Sequence, residues 1–241
     1  FSFVFEGVEW PENEIRSSHL DFALGFNRAA PSVMRNFTYS YFKDVLDSQR
    51  SSLVDSDAYA LSQMESTCSD NGVFYGATIG WFNDLELTDT IMPRMSDLMT
   101  TEEVNNLREH LSTEYLTDIT ENHVFFYLLG YIRDPGHNEY KVSNGSLISV
   151  DLDRAKWHSI KSKNSPANLT FCHLCTVSER TITKLQNAAE DYSLAIAVSN
   201  SLTYDPFKLL FSPEESSILQ KRIDIYFTEC LTPCIEKYGR N

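Results

Sequence analysis

The stretch Val124–Asp153, VFFYLLGYIRDPGHNEYKVSNGSLISVDLD, decides how the chain reads. Val124 to Ile132 is apolar or aromatic throughout except for Gly130. A turn-forming run, Asp134-Pro135-Gly136-His137-Asn138, follows it. A second turn signal, Asn144-Gly145, then separates Tyr140–Val142 from Leu147–Val150. Asn-Gly between two apolar runs favours a tight hairpin, because these residues tolerate the positive φ that its central positions need. Strand-length apolar runs divided by such turns predict a three-stranded antiparallel meander.

Upstream, FSFVFEGV puts Phe1, Phe3 and Phe5 on one side of an opening strand. Ile15, Phe22 and Phe26 recur at helical spacing. Pro31 suits the first turn of a second helix, with Val33, Phe37, Tyr41 and Val45 four apart. A short helix is expected over Asp57–Glu65. GVFYGATIGWF (72–82) reads as strand or strand-turn-strand: glycines every four residues would suit a packed helix face, but the β-branched and aromatic neighbours do not. Thr100-x-x-Glu103 is a capping box, opening a helix with Val104, Leu107, Leu111 and Tyr115 as its buried stripe.

Downstream, Lys161–Asn168 is the candidate loop or linker. A strand at Leu169–Phe171, a helix from Ser178 burying Ile182, Leu185, Ala189 and Tyr192, and a strand at Leu194–Val198 would make a β-α-β unit. Ser212-Pro213-Glu214-Glu215 joins an N-cap, an N1 proline and an N3 acid. The helix it starts would bury Ile218, Leu219, Ile223, Tyr226 and Phe227 and stop before Pro233. The class is α+β: several amphipathic helices packed on an antiparallel β meander, with room for a mixed sheet. One globular domain over residues 1–241 is expected, with 161–168 the candidate point of subdivision.

Composition narrows the partners. The chain carries 20 Lys plus Arg against 34 Asp plus Glu, a formal charge of −14. A surface this negative repels nucleic-acid phosphates and anionic membranes and favours basic partners. No apolar run approaches the roughly 18 residues that a membrane-crossing helix needs. The chain starts at Phe1 rather than Met, which reads as a mature product whose signal peptide has been removed. Sequons at Asn36, Asn144 and Asn168 are candidate glycosylation sites, although 15 Asn among 44 Ser plus Thr supply roughly three such triplets by chance.

The five cysteines are Cys68, a C-x2-C at Cys172 and Cys175, and a C-x3-C at Cys230 and Cys234. Two close pairs and a leftover favour a disulfide framework formed outside the cytosol, with three connectivities open. Four thiolates could instead hold zinc, but Pro233 interrupts the second spacer and the glycine-containing knuckle turns are missing. In a third reading, Cys172-His-Leu-Cys175 at a helix start is a redox pair with a stabilised thiolate. The order of elements around it resembles the first half of a thioredoxin fold. Residues 202–241 read as helix, where that fold needs two further strands and a proline loop.

Asp151 and Asp153 close an apolar strand. Their default role is a solvated strand end capping the helix expected at Arg154. Alternate carboxylates after a strand also have the chemistry to hold Mg²⁺ or Mn²⁺ against phosphates. No P-loop glycine signature accompanies them. The six histidines, His19, His110, His123, His137, His158 and His173, show no metal-ligand spacing, and no G-x-S-x-G elbow occurs. His19 and His123 read as structural. With no catalytic group singled out and neither cofactor nor metal called for, 15 Phe and 12 Tyr tilt the reading toward recognition. The expectation is a secreted or extracellular, glycosylated, disulfide-bonded protein that binds a protein or small ligand. The alternative is a secreted enzyme, either a hydrolase with a dispersed triad or a thiol-disulfide oxidoreductase using Cys172 and Cys175.

Overall fold

The computed structural model describes residues 2–5, 10–38, 40, 73–80, 86–87, 100–130, 139–141, 147–150, 152, 155–157, 170–191 and 193–238. It combines helices with two small antiparallel sheets. In the first sheet the order is β1 (Ser2–Phe5), β3 (Val73–Ile79), β2 (Ser32–Thr38), so the middle strand comes last in sequence. Gly76 stands opposite both Phe5 and Arg35. In the second sheet β4 (Glu86–Leu87) pairs with β5 (Glu139–Lys141), which pairs with β6 (Leu147–Ser149).

Helix α1 (Pro11–Leu24) begins with proline at N1 and carries Glu12 and Glu14 at its positive end. It ends at Gly25, whose φ of 64° lets its N–H reach the carbonyls of Asp21 and Phe22. Its buried face mixes Ile15, Leu20 and Leu24 with Glu14, Ser17 and Asp21. The expected apolar stripe is corrected there: Phe22 is 74% exposed, and Phe26 is buried beyond the helix end.

Helix α2 (Thr100-capped, Thr101–His110) has both arms of its capping box. The chain breaks at Leu111, and the Ser112 hydroxyl caps α3 (Thr113–Leu128). The first strand expected in the meander is therefore the last turns of α3. Every residue from Ile119 to Leu128 is buried, and a helix enclosed on all sides leaves no period to distinguish it from a strand. The hairpin signal at Asn144-Gly145 does separate two paired strands, but their third partner comes from Glu86–Leu87.

The remaining helices are α4 (Thr170–Leu174), α5 (Glu179–Asp191), α6 (Ser193–Leu202) and α7 (Pro213–Tyr226). A π turn (Phe227–Leu231) then leads into α8 (Thr232–Tyr238). Four expectations are corrected. Residues 32–38 form β2 rather than a helix, because Val33 and Phe37, four apart, share a face under either period. Leu169–Phe171 is not a strand, since α4 begins at Thr170. Leu194–Val198 lies in α6, with Leu194 and Val198 buried and Ile196 60% exposed, so the β-α-β unit and the thioredoxin likeness fall away. The last helical stretch does not stop before Pro233, which sits in the first turn of α8, where a missing N–H is tolerated. The Ser212 capping box is present in full. The expected helix over 57–65 and the loop at 161–168 lie outside the described residues. The main core packs α1, α3, α5, α6 and α7 around Ile15, Phe125, Trp157, Leu185, Val198 and Ile223.

Candidate functional site

The end of β6 bonds both the stretch that follows α1 and helix α3. Ala30 donates its N–H to the Ser149 carbonyl (3.1 Å), and the Ser149 hydroxyl donates to Asn122 Oδ1 on α3 (3.0 Å). Beyond β6, α1 holds the backbone with three side chains. Glu14, fully buried, accepts the Leu152 N–H; Ser17 Oγ donates to the Leu152 carbonyl (3.5 Å), and Asn13 Nδ2 donates to the Ala155 carbonyl (3.2 Å). Positions 13, 14 and 17 share one side of the helix. Leu152 and Trp157 are themselves buried, and Trp157 meets Phe211 edge-to-face at 4.8 Å. Arg16, the next α1 side chain along, lies 5.5 Å over Phe211 and pairs with Glu215 at 2.9 Å.

Asp151 and Asp153 lie outside the described residues, as do Cys68, His137, His158, Asn144 and Asn168. Leu152, between the two acids, is thus fixed through both its N–H and its carbonyl. Sequence reasoning missed Glu14, Ser17 and Asn13. The available signal was a carboxylate and a hydroxyl interleaved with the buried apolar positions of α1.

Asn36 is exposed on β2, an edge strand. The four paired cysteines meet elsewhere: Cys172 bonds Cys230 and Cys175 bonds Cys234, with Cα atoms 5.1 and 5.4 Å apart. Both bridges join α4 and its exit to the π turn and α8. They line a pocket of about 240 Å³ with His173, Lys237 and Tyr238. The C-x-x-C is divided between two bridges, so neither the redox pair nor a four-thiolate zinc site forms. Two disulfides belong to an oxidising compartment, the secretory pathway.

The described histidines do not build a hydrolase site. His123 is fully buried on α3, and burial pushes its pKa down to about 4, so it is neutral. His19 Nδ1 lies 2.9 Å from Ser201 Oγ; burial lowers its pKa and the nearby Asp205 charge works the other way. Ser201 Oγ also reaches the Val198 carbonyl at 2.8 Å, which only a donor can do. The His19 N–H therefore donates to the serine oxygen, the reverse of what an activated nucleophile requires. His110 bonds the Asn106 carbonyl within its own helix. Among the described residues no group of three or more His, Cys, Asp or Glu is placed to hold a metal ion, and no helix is long and apolar enough to cross a membrane.

No family model matches the chain. By sequence it is similar to human glycosaminoglycan xylosylkinase, 20% identical over 98% of this chain and 63% of that protein. By structure it is similar to the Golgi casein kinase (TM-score 0.60, 17% identity, 96% of this chain and 62% of that one) and to the same kinase with Mn/ADP bound (TM-score 0.63, 18% identity, 96% and 62%). Hydra Fam20 with sugar gives a TM-score of 0.59 at 19% identity, over 98% of this chain and 74% of that one. The chain thus spans about 63% of the length of its curated relative. These likenesses overturn the expectation of a protein that works by binding alone, because the curated relative and the Golgi neighbour, matched almost end to end along this chain, are kinases. The polypeptide has the fold of the Golgi casein kinase and hydra Fam20 structures.

Proposed function

We propose that this chain is the catalytic part of a kinase of the secretory pathway, moving a phosphoryl group from a nucleotide to a hydroxyl on a sugar or protein. The observation that carries this reading is the similarity to kinases along 96 to 98% of the chain, in both sequence and fold. The reading keeps the enzyme of the alternative expectation and replaces its hydrolase and oxidoreductase chemistries: Cys172 and Cys175 are divided between two disulfides, and His19 donates to Ser201.

One structural neighbour holds Mn and ADP, and the residues here suit such a cation. Asp151 and Asp153 are hard oxygen donors on alternate positions, and Leu152 between them is locked by α1 through both backbone groups. Asp151 and Asp153 would hold the ion. When bound, Mn²⁺ or Mg²⁺ neutralises charge on the transferring phosphate. Glu14 and Ser17 hold the backbone of Leu152, the residue between the two acids in sequence. The finer placement, a glycosylated protein released outside the cell, with sugars at Asn36, Asn144 and Asn168, belongs to the same proposal.

The test supplies ATP and Mn²⁺ with two acceptors, a xylose-containing oligosaccharide and dephosphorylated casein, and follows phosphate transfer. Transfer to one acceptor, cut by about 100-fold or more in Asp151→Asn, is the expected result. Absence of both transfer and Mn²⁺-dependent ADP binding overturns the reading.

A further inference from the structure

Residues 213–238 run without a break through α7, the π turn and α8. Toward the end of this stretch one side of the helix recurs every four residues. Glu229, Pro233 and Lys237 make one row, and Cys230, Cys234 and Tyr238 make the next. Both rows line the pocket of about 240 Å³, and Cys172, His173 and Cys175 face them from α4 and its exit. The two disulfides tie wall to wall, so the cleft is formed before any ligand arrives. Glu229 and Lys237 are two turns apart, roughly 12 Å at about 1.5 Å per residue, which puts an acid and a base at opposite ends of their row.

The basic end stands out in a chain with 34 acids and only 20 Lys plus Arg. Lys237 and Arg108 both sit against the Tyr238 ring: the Lys237 nitrogen lies 4.8 Å from its centroid and the Arg108 guanidinium carbon 5.1 Å. Arg108, on α2, also donates from Nη2 to the Leu174 carbonyl (2.8 Å) and from Nη1 to the Tyr238 hydroxyl (3.4 Å). The ion pairs among the described residues engage Arg16 and Arg28; Lys237 and Arg108 form none. Two cations thus share one corner, neither paired with a carboxylate. Hydrogen bonding to Lys237 and then to Arg108 lowers the Tyr238 pKa, so the hydroxyl already senses a field that favours an anion. His173, exposed on the facing wall, adds an imidazole N–H.

We propose that this cleft binds a sugar unit carrying a sulfate or carboxylate group. The anionic group faces Lys237 and Arg108, where charge-assisted bonds are the strong ones. Glu229, at the other end, repels an anion and accepts from hydroxyls, so a bare inorganic anion uses half of the cleft and an anionic sugar uses both ends. Pro233 and the disulfide sulfurs offer the ring an apolar wall. Size agrees: about 240 Å³ falls short of the roughly 300 Å³ at which drug-sized sites begin, room for one ring rather than a nucleotide. The cleft shares no residue with the anchorage of Leu152, and the proposal does not depend on the kinase reading.

The experiment titrates galactose 6-sulfate, galacturonate, galactose and inorganic sulfate into the whole chain by calorimetry, for wild type, Lys237→Gln, Arg108→Gln and Glu229→Ala, with the melting temperature of each. Losing one charged hydrogen-bond partner weakens binding by about 10-fold or more. The expected result is saturable binding of at least one anionic sugar, the two arms showing whether sulfate or carboxylate is taken. Neutral galactose is not bound, and inorganic sulfate binds about 10-fold more weakly than the sulfated sugar. Lys237→Gln lowers the affinity for the anionic sugar by about 10-fold, and Glu229→Ala lowers it without weakening inorganic sulfate. Wild type that binds no anionic sugar overturns the proposal, as does galactose bound as tightly as its sulfate. Inorganic sulfate bound as tightly as the sulfated sugar overturns it as well, since the cleft would then recognise an anion and no ring. Unchanged affinity in folded Lys237→Gln, Arg108→Gln or Glu229→Ala has the same force. Failure of both cation variants to fold also overturns it, because the two charges would then serve the fold alone.

Discussion

The carboxylate of Glu14 accepts the backbone N–H of Leu152, so a side chain in the first turn of α1 grips the one residue between Asp151 and Asp153. Removing it strands a buried donor, at a cost of about 1–3 kcal/mol. Glu14→Ala is expected to lower the melting temperature and to weaken Mn²⁺–ADP stabilisation by about 10-fold or more, while Glu14→Gln, which keeps an acceptor oxygen, recovers most of both. Equal Mn²⁺ dependence in folded Glu14→Ala and wild type would confine the bond to a structural role.

His123 gives a signed pH dependence. Its folded pKa is held near 4 by burial, below the ordinary histidine value of 6.5. Between those values the unfolded chain binds the proton and the folded one does not, so this stability is present above pH 6.5 and is lost as pH falls toward 4. The loss approaches about 3 kcal/mol at the lower end. Asp21 acts oppositely: burial raises its pKa to about 6, so it contributes stability as pH falls from 6 toward 4. Denaturant titrations of wild type and His123→Gln over this range should separate the two. A stability difference that does not vary with pH would rule out a neutral buried His123.

The disulfides join positions 58 and 59 residues apart in sequence. Replacing all four cysteines by serine should cost about 4 kcal/mol, from the loop-closure entropy that one such loop removes from the unfolded chain. Non-reducing peptide mapping is expected to return Cys172 with Cys230 and Cys175 with Cys234. A Cys172–Cys175 peptide in the native protein would contradict the pairing.

Among the described residues Asn36 is exposed on β2, opposite Tyr75 of β3 at the edge of the sheet, so a glycan there would cover that edge. Expression in a secreting host should give a chain that loses mass on glycosidase treatment, with Asn36→Gln removing one increment. An unchanged mass in that variant would show that the site is unused.

Where an element announces itself through local chemistry, the sequence was legible. The Thr100 and Ser212 capping boxes, the Asn144-Gly145 turn and the Phe1–Phe5 alternation depend on neighbours a few residues apart, and each marks an element that forms. Legibility failed where burial erased the period. Ile119–Leu128 is enclosed on every side, and Leu194–Val198 is a small-residue run whose exposed Ile196 alone reveals the helix. The candidate site was half visible: Asp151 and Asp153 stand out as a pair after a strand. Glu14 and Ser17 reach Leu152, the residue between them in sequence, across 138 and 135 residues of chain through its backbone groups, contacts that leave no trace in side-chain pattern.

The two sulfur bridges fasten the same pair of neighbouring stretches, and this makes them redundant rather than additive. Once either has closed, its twin seals only a tiny ring and removes little further disorder from the denatured ensemble. A reductant that opens one rivet therefore meets a body still clamped shut at the same seam, and this corner of the molecule tolerates a single chemical insult.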